Sequence, residues 1–396
     1  MFQNLNKYDF LLIVILLLLV VVSGYYYANP QSRNLVWLKM YPIRAELSAR
    51  QISCSNNSPP WLTDILKYQA RYNNAPTNQI AYIEPNGVLH HCENGYKGKF
   101  PLVSNAIDEY TRFRYASVTK LWTADAILSL IKNGQLSLDT KLADIITNID
   151  NPKDIRINDI TIRQLLSHRA GFDRYSGFGN DMFGIGQDIC PNHLQALNSV
   201  RLGFSPDSKT SYSNLGYCLL GEVIHHIENK PYTEVIANEY GFADSSLRFI
   251  SNTAFPDEVS YNYVETGITG VSDIYTAFDY EDLASAAGLS GNAIDLAQQV
   301  YEMAAKPSPN ILSTNKKAQC DFTKIGECYG YAMIPYQSKS TLPMVYYRDG
   351  NLLGLSSLVA VSENGSTVTL LSNGTPNEVV TDANEIKMMI YAHLVD

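Results

Sequence analysis

The sequence predicts an α/β protein of the α+β type, in which one antiparallel sheet is flanked by helices and a separate helical lobe is inserted. Two observations predict this fold. Short strand-like runs occur near both ends of the folded part, whereas residues 135–305 mostly show the apolar spacing of helices. Strands at the two ends join most economically into one sheet. We expect a functional site in the cleft between the sheet and the lobe.

An apolar run close to the N-terminus predicts a membrane anchor. It extends without interruption from Phe10 to Val22, and small and aromatic residues continue it to residue 28. Its length approaches the roughly 20 residues that span a bilayer. We therefore predict a cytoplasmic tail at 1–9 and a single-pass signal anchor at 10–28 in the inner membrane. Cleavage is the alternative, although Tyr-Tyr-Ala-Asn offers only one of the small residues that a cleavage site needs.

The cysteines predict that the folded part lies outside the cytoplasm, in the periplasm. Their number is even, which suits an oxidising compartment, and none has the C-x-x-C spacing of a metal or redox site. This evidence is needed because Arg33, Lys39 and Arg44 follow the anchor while only Lys7 precedes it, which alone would favour the reverse orientation. We predict sequential pairs: Cys54 with Cys92, Cys190 with Cys218, and Cys320 with Cys328. Alternatively, Cys218 is a small buried apolar residue of a helix.

Turn-forming residues and apolar spacing define the remaining elements. Asn-Pro, Ser-Asn-Asn-Ser and Pro-Pro predict a linker at 29–60, so the folded domain is expected to occupy 61–396. The predicted helices are Trp61–Tyr72, Ser117 to Asn133-Gly134, Ile162–Ser167, Asn214–Glu228, Gly291–Ala305 and Asn377–Leu394. The predicted strands are a hairpin over Gln79–Asn94 that turns at Pro85–Gly87, followed by Met344–Arg348, Ser357–Val361 and Thr367–Leu371.

Charge and histidine spacing restrict the partners. The net charge is −9 and no run of Lys and Arg is present, which argues against a nucleic-acid partner. His168 and the pairs His90-His91 and His225-His226 lack an evident carboxylate partner at ligand spacing, so we predict no metal. The sequence implies no cofactor.

Ser117 and Lys120 form the first motif with chemical meaning. A spacing of three residues on a helix places an amine beside a hydroxyl, and Ser117 opens a strongly apolar helix. A neutral Lys120 can accept the serine proton and so activate Ser117 for acyl transfer. The spacing is common and recurs at Ser129–Lys132, near a helix end, and at Ser313–Lys316, in a polar loop.

Two further motifs contribute groups of the expected kind. Tyr212 and Asn214 precede an apolar helix, where the phenol can relay a proton and the carboxamide can bind a substrate amide; a simple helix cap is the alternative. Arg348 can neutralise a substrate carboxylate and lower the pKa values of Lys120 and Tyr212. Gly350 permits close approach of a ligand, and the Asn351 N–H can complete an oxyanion hole with that of Ser117. An ordinary turn is the alternative for residues 348–351.

Over residues 61–394 the sequence resembles the serine β-lactamase and penicillin-binding hydrolases, especially their class C-like branch with D,D-peptidases and esterases. The resemblance rests on five segments in the family's order: ASVTKLWTADAILSLIKNGQLSLD from Ala116, LLSHRAG from Leu165, SYSNLGYCLLGE from Ser211, Ser290–Ala297 and Gly350–Asn373. It implies the β-lactamase/transpeptidase-like fold. It also implies that Ser117 is acylated, that Lys120, Tyr212 and Asn214 belong to the first two motifs, and that Arg348 and Gly350 belong to the third.

The third motif departs from the pattern of these hydrolases, which have Lys or His, then Thr or Ser, then Gly. Asp349 stands where their hydroxyl binds a substrate carboxylate, and it would repel that carboxylate unless it points away or pairs with Arg348. The sequence thus predicts a hydrolase of cell-wall peptides or other small amides. An esterase of the same scaffold and a non-catalytic peptidoglycan-binding protein are the alternatives.

Overall fold

The computed structural model describes residues 7–98, 104–173, 189–261, 274–316, 318, 320–375 and 381–395. Within these residues the helices follow in chain order: α1 Lys7–Ala28, α2 Pro30–Arg50, α3 Pro60–Tyr72, α4 Lys120–Lys132, α5 Ile162–Leu166, α6 Asn214–Glu228, α7 Tyr232–Glu239, α8 Ala284–Ala287, α9 Ala293–Ala305 and α10 Thr381–Val395. The strands are β1 Ile52–Cys54, β2 Asn78–Ile83, β3 Leu89–Asn94, β4 Phe113–Arg114, β5 Arg248–Phe249, β6 Leu289–Gly291, β7 Ile334–Tyr336, β8 Val345–Leu352, β9 Leu355–Ser362 and β10 Thr367–Ser372.

The central sheet is antiparallel and joins strands from both ends of the folded part, which confirms the predicted fold class. Its order is β1-β3-β2-β10-β9-β8-β7. The registers Thr367↔Ile83 and Ser372↔Asn78 show how the last strand pairs with the first hairpin. Strands β9 and β8 follow β10 in the sheet, and both contact the turn at residues 116–119 that precedes α4.

Two apolar cores cover the two faces of this sheet. On one face α3 packs over β2 and β3 and α10 packs over β8 and β9, and the core between them includes Leu62, Ile65, Ile390, Val345 and Tyr347. The other face adjoins the lobe, and α9 packs there directly on β2 and β10. The predicted lobe boundary at residue 305 was therefore too late. The apolar spacing of α9 predicts a helix, but it does not distinguish a helix that packs on a sheet from one that packs within a helical lobe.

The segment predicted as a linker is ordered, and this prediction was wrong. Residues 30–50 form α2, which packs on α3 with Tyr41, Ala45 and Ala49 buried. Strand β1 then pairs with β3, and Cys54 lies opposite Cys92. The folded part consequently begins well before Trp61. The proline-containing dipeptides mark the starts of α2 and α3, since proline is favoured in the first helical turn, rather than an extended tether.

The cysteine pairing follows the predicted sequential order. Disulfides join Cys54 to Cys92, Cys190 to Cys218 and Cys320 to Cys328. The alternative in which Cys218 is a free buried thiol is therefore wrong, although Cys218 does lie buried in α6. A small sheet of order β4-β6-β5 was not predicted, because its strands have only two or three residues. The predicted start of the last helix at Asn377 lies outside the described residues.

Candidate active site

The turn that precedes α4 presents Ser117. Residues Ala116–Thr119 form one turn of 3-10 helix, after which α4 begins at Lys120. Ala116 has a φ of 46°, a backbone conformation that a residue with a Cβ seldom adopts. Strained backbone of this kind persists only where the surroundings enforce it, and it often accompanies functional sites. Ser117 is half-buried, whereas Ala116 and Val118 on either side are fully buried.

The side chains of Ser117, Lys120 and Tyr212 converge. The hydroxyl oxygens of Ser117 and Tyr212 are 2.6 Å apart. Lys120 Nζ lies 3.2 Å from Ser117 Oγ and 5.0 Å from the centroid of the Tyr212 ring. The structure therefore brings Tyr212 next to Lys120 and next to Ser117, which lies 95 positions earlier in the sequence. A hydroxyl flanked by a phenol and an amine is the arrangement that serine activation requires.

Lys120 is held by a complete set of acceptors. Its side chain is fully buried, and Nζ donates to Asn214 Oδ1 and to the carbonyl oxygen of Ala286, both at 2.7 Å, as well as to Ser117 Oγ. Three acceptors match the three hydrogens of an ammonium group. These three hydrogen bonds hold the amine beside Ser117.

The start of α6 positions Tyr212 and Asn214. Ser213, between them, is the helix cap, and its hydroxyl accepts from the backbone N–H of Gly216. The alternative in which Asn214 only caps the helix is therefore wrong, because its carboxamide accepts from Lys120 instead. Tyr212 also donates toward Asn214 Oδ1 at 3.3 Å. One carboxamide oxygen thereby holds both the amine and the phenol in place.

Arg348 lies beneath the nucleophile. It is 1% exposed, its Nε donates to the carbonyl oxygen of Ser117 at 3.0 Å, and its Nη1 donates to that of Ala332 at 3.3 Å. Its Cζ is 5.6 Å from the Tyr212 ring centroid. Residues 348–351 belong to β8, so the alternative of an ordinary turn is wrong. The guanidinium group therefore lies close to the Tyr212 ring and to the turn at residues 116–119, which we call the nucleophile turn, rather than in the open cleft.

Gly350 and Asp349 lie on opposite faces of β8. A Cβ at Gly350 would come within 2.6 Å of the Tyr115 carbonyl oxygen and 2.8 Å of the Ser117 nitrogen, so the strand can pass the nucleophile only because this residue is glycine. The Asp349 carboxylate accepts from Lys387 of α10 at 2.9 Å. Burial raises the pKa of Asp349, but Lys387, and to a smaller degree Arg348, outweigh it and hold that pKa below its ordinary value.

Comparison with known proteins agrees with this geometry. The model of the Beta-lactamase family matches residues 102–390. The chain belongs to the beta-lactamase family. This confirms the resemblance inferred from the sequence, and the protein is a serine hydrolase of that family.

Several individual proteins of the beta-lactamase family are similar along most of their length. A relative from Dichelobacter nodosus, described as "Putative fimbrial assembly protein FimD, serogroup D", is 32% identical over 337 residues, which are 84% of this chain and 83% of the relative. D-amino acid amidase from Ochrobactrum anthropi SV3 has a TM-score of 0.65 at 17% identity, over 84% of this chain and 96% of that one. A beta-lactamase/D-alanine carboxypeptidase from Yersinia pestis has a TM-score of 0.62 at 17% identity, over 80% and 93%. These two structures support the fold alone.

Sequence reasoning missed the aromatic residues that hold Tyr212. The His168 ring lies 4.6 Å from the rings of Tyr212 and Tyr329 and 5.1 Å from that of Tyr217, measured between centroids. Its Nδ1 accepts from the backbone N–H of Ser213 at 3.2 Å. Burial raises the pKa of Tyr217 and of Tyr329 well above the ordinary tyrosine value, so both phenols stay neutral. His168 stands in the LLSHRAG segment shared with the beta-lactamase family, which was the available signal.

The histidine pairs have carboxylate neighbours that the sequence reasoning overlooked. His90 and His91 lie beside Glu84 and Glu93, at 2.9 Å and 2.6 Å. On α6, one potential ligand atom each from Glu222, His225 and His226 lies within 4.8 Å of the others. The argument that no histidine has a carboxylate at ligand spacing was therefore wrong, because residues three and four positions apart share one face of a helix.

Proposed function

We propose that this protein is a membrane-anchored, extracytoplasmic hydrolase that cleaves amide or ester bonds through an acyl-enzyme on Ser117. Its expected substrates are peptides related to the cell wall, as for a D,D-carboxypeptidase or a D-amino-acid peptidase. One observation supports it most: the Ser117 hydroxyl lies 2.6 Å from a phenol and 3.2 Å from a buried amine. Members of the beta-lactamase family with these chemistries share the fold.

Tyr212 is the proposed proton acceptor in acylation. Lys120 already donates to three acceptors, whereas the phenol lies closer to Ser117 Oγ and beside the charges of Lys120 and Arg348. These cations stabilise a phenolate. The reactive form of Tyr212 in this proposal is the phenolate, which no longer donates to Asn214. As Ser117 Oγ bonds to the substrate carbonyl carbon, the serine proton passes to the phenolate oxygen. The same proton then passes to the leaving nitrogen or oxygen as its bond to carbon breaks.

The proposed oxyanion hole consists of the backbone N–H groups of Ser117 and Asn351. The two-residue turn after β8 makes Leu352 and Leu355 the first hydrogen-bonded pair of the hairpin. Hydrogen-bonded and non-hydrogen-bonded residue pairs alternate along β8 and β9, so the N–H of Asn351 points away from β9. Asn351 follows Gly350, the residue at which β8 passes the Ser117 nitrogen. Two such donors stabilise the negative charge of the tetrahedral intermediate. In deacylation, water adds to the acyl carbon, Tyr212 accepts its proton, and Ser117 leaves with a proton returned by the phenol.

Within this proposal the third motif disfavours a D,D-carboxypeptidase, whose substrate carries a free carboxylate beside the scissile bond, and favours substrates that have none. Arg348 is buried beneath Ser117, and Asp349 is engaged by Lys387. Neither group offers the cation or the hydroxyl with which the related penicillin-recognising enzymes bind a terminal carboxylate. An ester, an amide, or a D-amino-acid peptide bound through its amino end would meet no unpaired charge here. This observation keeps an esterase as the second candidate function.

The N-terminal helix supports the proposed location. Helix α1 has 22 residues with a mean hydropathy of 2.6 in its most apolar window, and its side chains are not buried by the rest of the protein. A helix of this length spans about 33 Å, enough for the hydrocarbon core of a bilayer. Three disulfides are consistent with a catalytic domain in an oxidising compartment.

Two covalent probes test the proposal together. The purified full chain, in detergent, is incubated with a fluorescent penicillin or with a fluorescent fluorophosphonate, beside Ser117→Ala and the matched control Ser129→Ala. We expect fluorophosphonate to label wild-type protein and Ser129→Ala but not Ser117→Ala, and penicillin to label weakly. Strong penicillin labelling would contradict the proposed exclusion of carboxylates. If neither probe labels the folded protein, the catalytic role itself is refuted in favour of a binding role.

A further inference from the structure

The last two turns of α6 carry a second set of chemically active side chains. Glu222, His225 and His226 share one face of the helix, and one potential ligand atom of each lies within 4.8 Å of the others. Asn214, which contacts Lys120, lies eight to twelve residues earlier on the same helix, about 12 to 18 Å away along its axis. The set is therefore separate from the proposed catalytic site.

The Glu222 carboxylate is largely buried at a cavity, and no lysine or arginine forms a salt bridge with it among the described residues. Glu222 is 7% exposed, and within the described part of the chain its side chain forms no hydrogen bond or salt bridge. Elsewhere the protein compensates such burial: Glu258 is equally buried and accepts from Arg114 at 2.7 Å. A buried carboxylate is normally paired with a cation or coordinates a metal. The charged groups that act on its carboxylate are the two imidazoles, His225 and His226.

Both imidazoles are held in the tautomer that can bind a metal. His225 Nδ1 lies 2.7 Å from the carbonyl oxygen of Lys230, and His226 Nδ1 lies 2.8 Å from that of Glu222. A carbonyl oxygen only accepts, so each Nδ1 carries the hydrogen and each neutral ring keeps its lone pair on Nε2. Metal-binding histidines are typically oriented by a hydrogen bond of this kind from their other nitrogen.

Open space and further acidic groups adjoin the set. A cavity of about 160 Å³ is lined by Glu222 and His225 and also by Glu281 and Asp282, while His226 lies outside its lining. It has room for an ion with bound water, and its acidic wall favours a cation. Ser285 also lines it and is followed by Ala286, whose carbonyl accepts from Lys120. The cavity wall is thus continuous with a residue that holds the catalytic amine.

We propose that Glu222, His225 and His226 bind a divalent transition-metal ion, for which Zn²⁺ is the natural probe. Two imidazoles and a carboxylate are a donor set that Zn²⁺ accepts, with water completing its coordination. The ion neutralises the buried carboxylate and joins α6 to the wall formed by residues 281–285. Its role is structural, because it lies too far from Ser117 to contact the substrate.

Metal titration of the full chain in detergent tests this proposal. After treatment with EDTA and its removal, Zn²⁺ binding is measured by calorimetry, and Co²⁺ is added separately to record its visible absorption. We expect about one equivalent of Zn²⁺ to bind and to raise the melting temperature. We also expect Co²⁺ to give the intense bands of a low-coordinate site.

Variants identify the ligands. Glu222→Gln and His225→Ala should each weaken binding at least about tenfold. His91→Ala removes a histidine that lies beside a carboxylate elsewhere in the protein, and it should leave binding unchanged. His226→Asn, at the exposed position, provides a ligand variant with little risk to folding, which circular dichroism checks for every variant. Absence of Zn²⁺ binding to folded wild-type protein, or equal weakening in His91→Ala, would overturn the proposal.

Discussion

The phenol of Tyr212 is the single group on which the proposed chemistry depends most. Tyr212→Phe keeps the ring against His168 and removes only the oxygen that lies 2.6 Å from Ser117 Oγ. Because general acid-base groups contribute about 10² to 10⁴ in rate, we expect fluorophosphonate labelling to slow at least about 100-fold. Tyr301→Phe, at a phenol that donates to the Pro85 carbonyl, is the control and should label at the wild-type rate. Equal rates in both variants would refute the role of Tyr212.

The lowered pKa of Asp154 predicts that this residue stabilises the folded protein at neutral pH and that this stabilisation is lost in acid. Its side chain accepts from Arg156 and from the backbone N–H of Leu202, and Arg156 above all lowers the pKa of Asp154 to about 2. A carboxylate whose pKa is lower in the folded state stabilises that state above the unfolded value near 3.8, and this stability is lost as the pH falls toward 2.

The corresponding variant is Asp154→Asn. We expect it to lower the free energy of unfolding by about 1 to 2 kcal/mol at pH 7, after allowance for solvent screening. The difference in melting temperature between Asp154→Asn and wild type should be constant between pH 5 and 8, and it should decrease toward zero below about pH 4. Asp64→Asn, at an exposed helix position, is the control and should show no such difference. A difference that widens in acid would contradict the assignment.

At the scale of elements, the contact between β8 and the nucleophile turn is set by the missing side chain of Gly350. Gly350→Ala would place a methyl group 2.8 Å from the Ser117 nitrogen, so strand and turn must separate. We expect labelling of Ser117 to fall by at least about tenfold, since small misplacement of reacting groups is costly. Gly216→Ala adds the same methyl in α6, where the nearest atom is 3.8 Å away, and should label normally. Normal labelling of Gly350→Ala would show that this close approach is not required.

Element boundaries show where sequence reasoning succeeds and where it fails. Helix α6 begins and ends as predicted at Asn214 and Glu228, because its apolar residues are buried from Leu215 to Ile224 and only the last turn is exposed. The prediction failed for residues 29–60. The proline-containing dipeptides there do mark element boundaries, but the chain between them forms α2 and β1 rather than a linker. The apolar side of α2 is narrow and interrupted by Pro42, so its burial against α3 is visible only in the folded protein.

For the whole molecule, this correction predicts how the chain can be shortened. A chain that begins at Asn29 lacks α1 but keeps α2, with Tyr41 and Ala45 buried on α3. We expect it to be soluble without detergent and to react with fluorophosphonate like the full chain. A chain that begins at Ser58 loses α2, β1 and Cys54, so Cys92 has no disulfide partner.

The two shortened chains are compared by melting temperature and by thiol titration after denaturation. The chain from Ser58 should melt several degrees lower and titrate one free thiol, since both a packed helix and a disulfide are missing. The chain from Asn29 should titrate none. Equal melting temperatures would contradict the conclusion that α2 and β1 belong to the folded domain.

The residues of the candidate site were predictable from sequence where they belong to short motifs. Their pairing and burial were not predictable where these depend on packing between distant parts of the chain. Ser117, Lys120, Tyr212 and Asn214 stand in recognisable segments, and the fold brings these segments together. The pairing of Asp349 with Lys387 depends on how α10 crosses β8, which no local pattern encodes. The burial of Arg348 depends likewise on the nucleophile turn that lies over it.

The measurement that tests the central claim most directly is the mass of a trapped acyl-enzyme. Full-length protein is mixed with an activated D-amino-acid ester, quenched in acid within seconds, digested and analysed by mass spectrometry. The account predicts an acyl group on the peptide that contains Ser117, present in wild-type protein and absent from Ser117→Ala. Hydrolysis of the ester by wild-type protein without any adduct on Ser117, or an adduct that persists in Ser117→Ala, would contradict it.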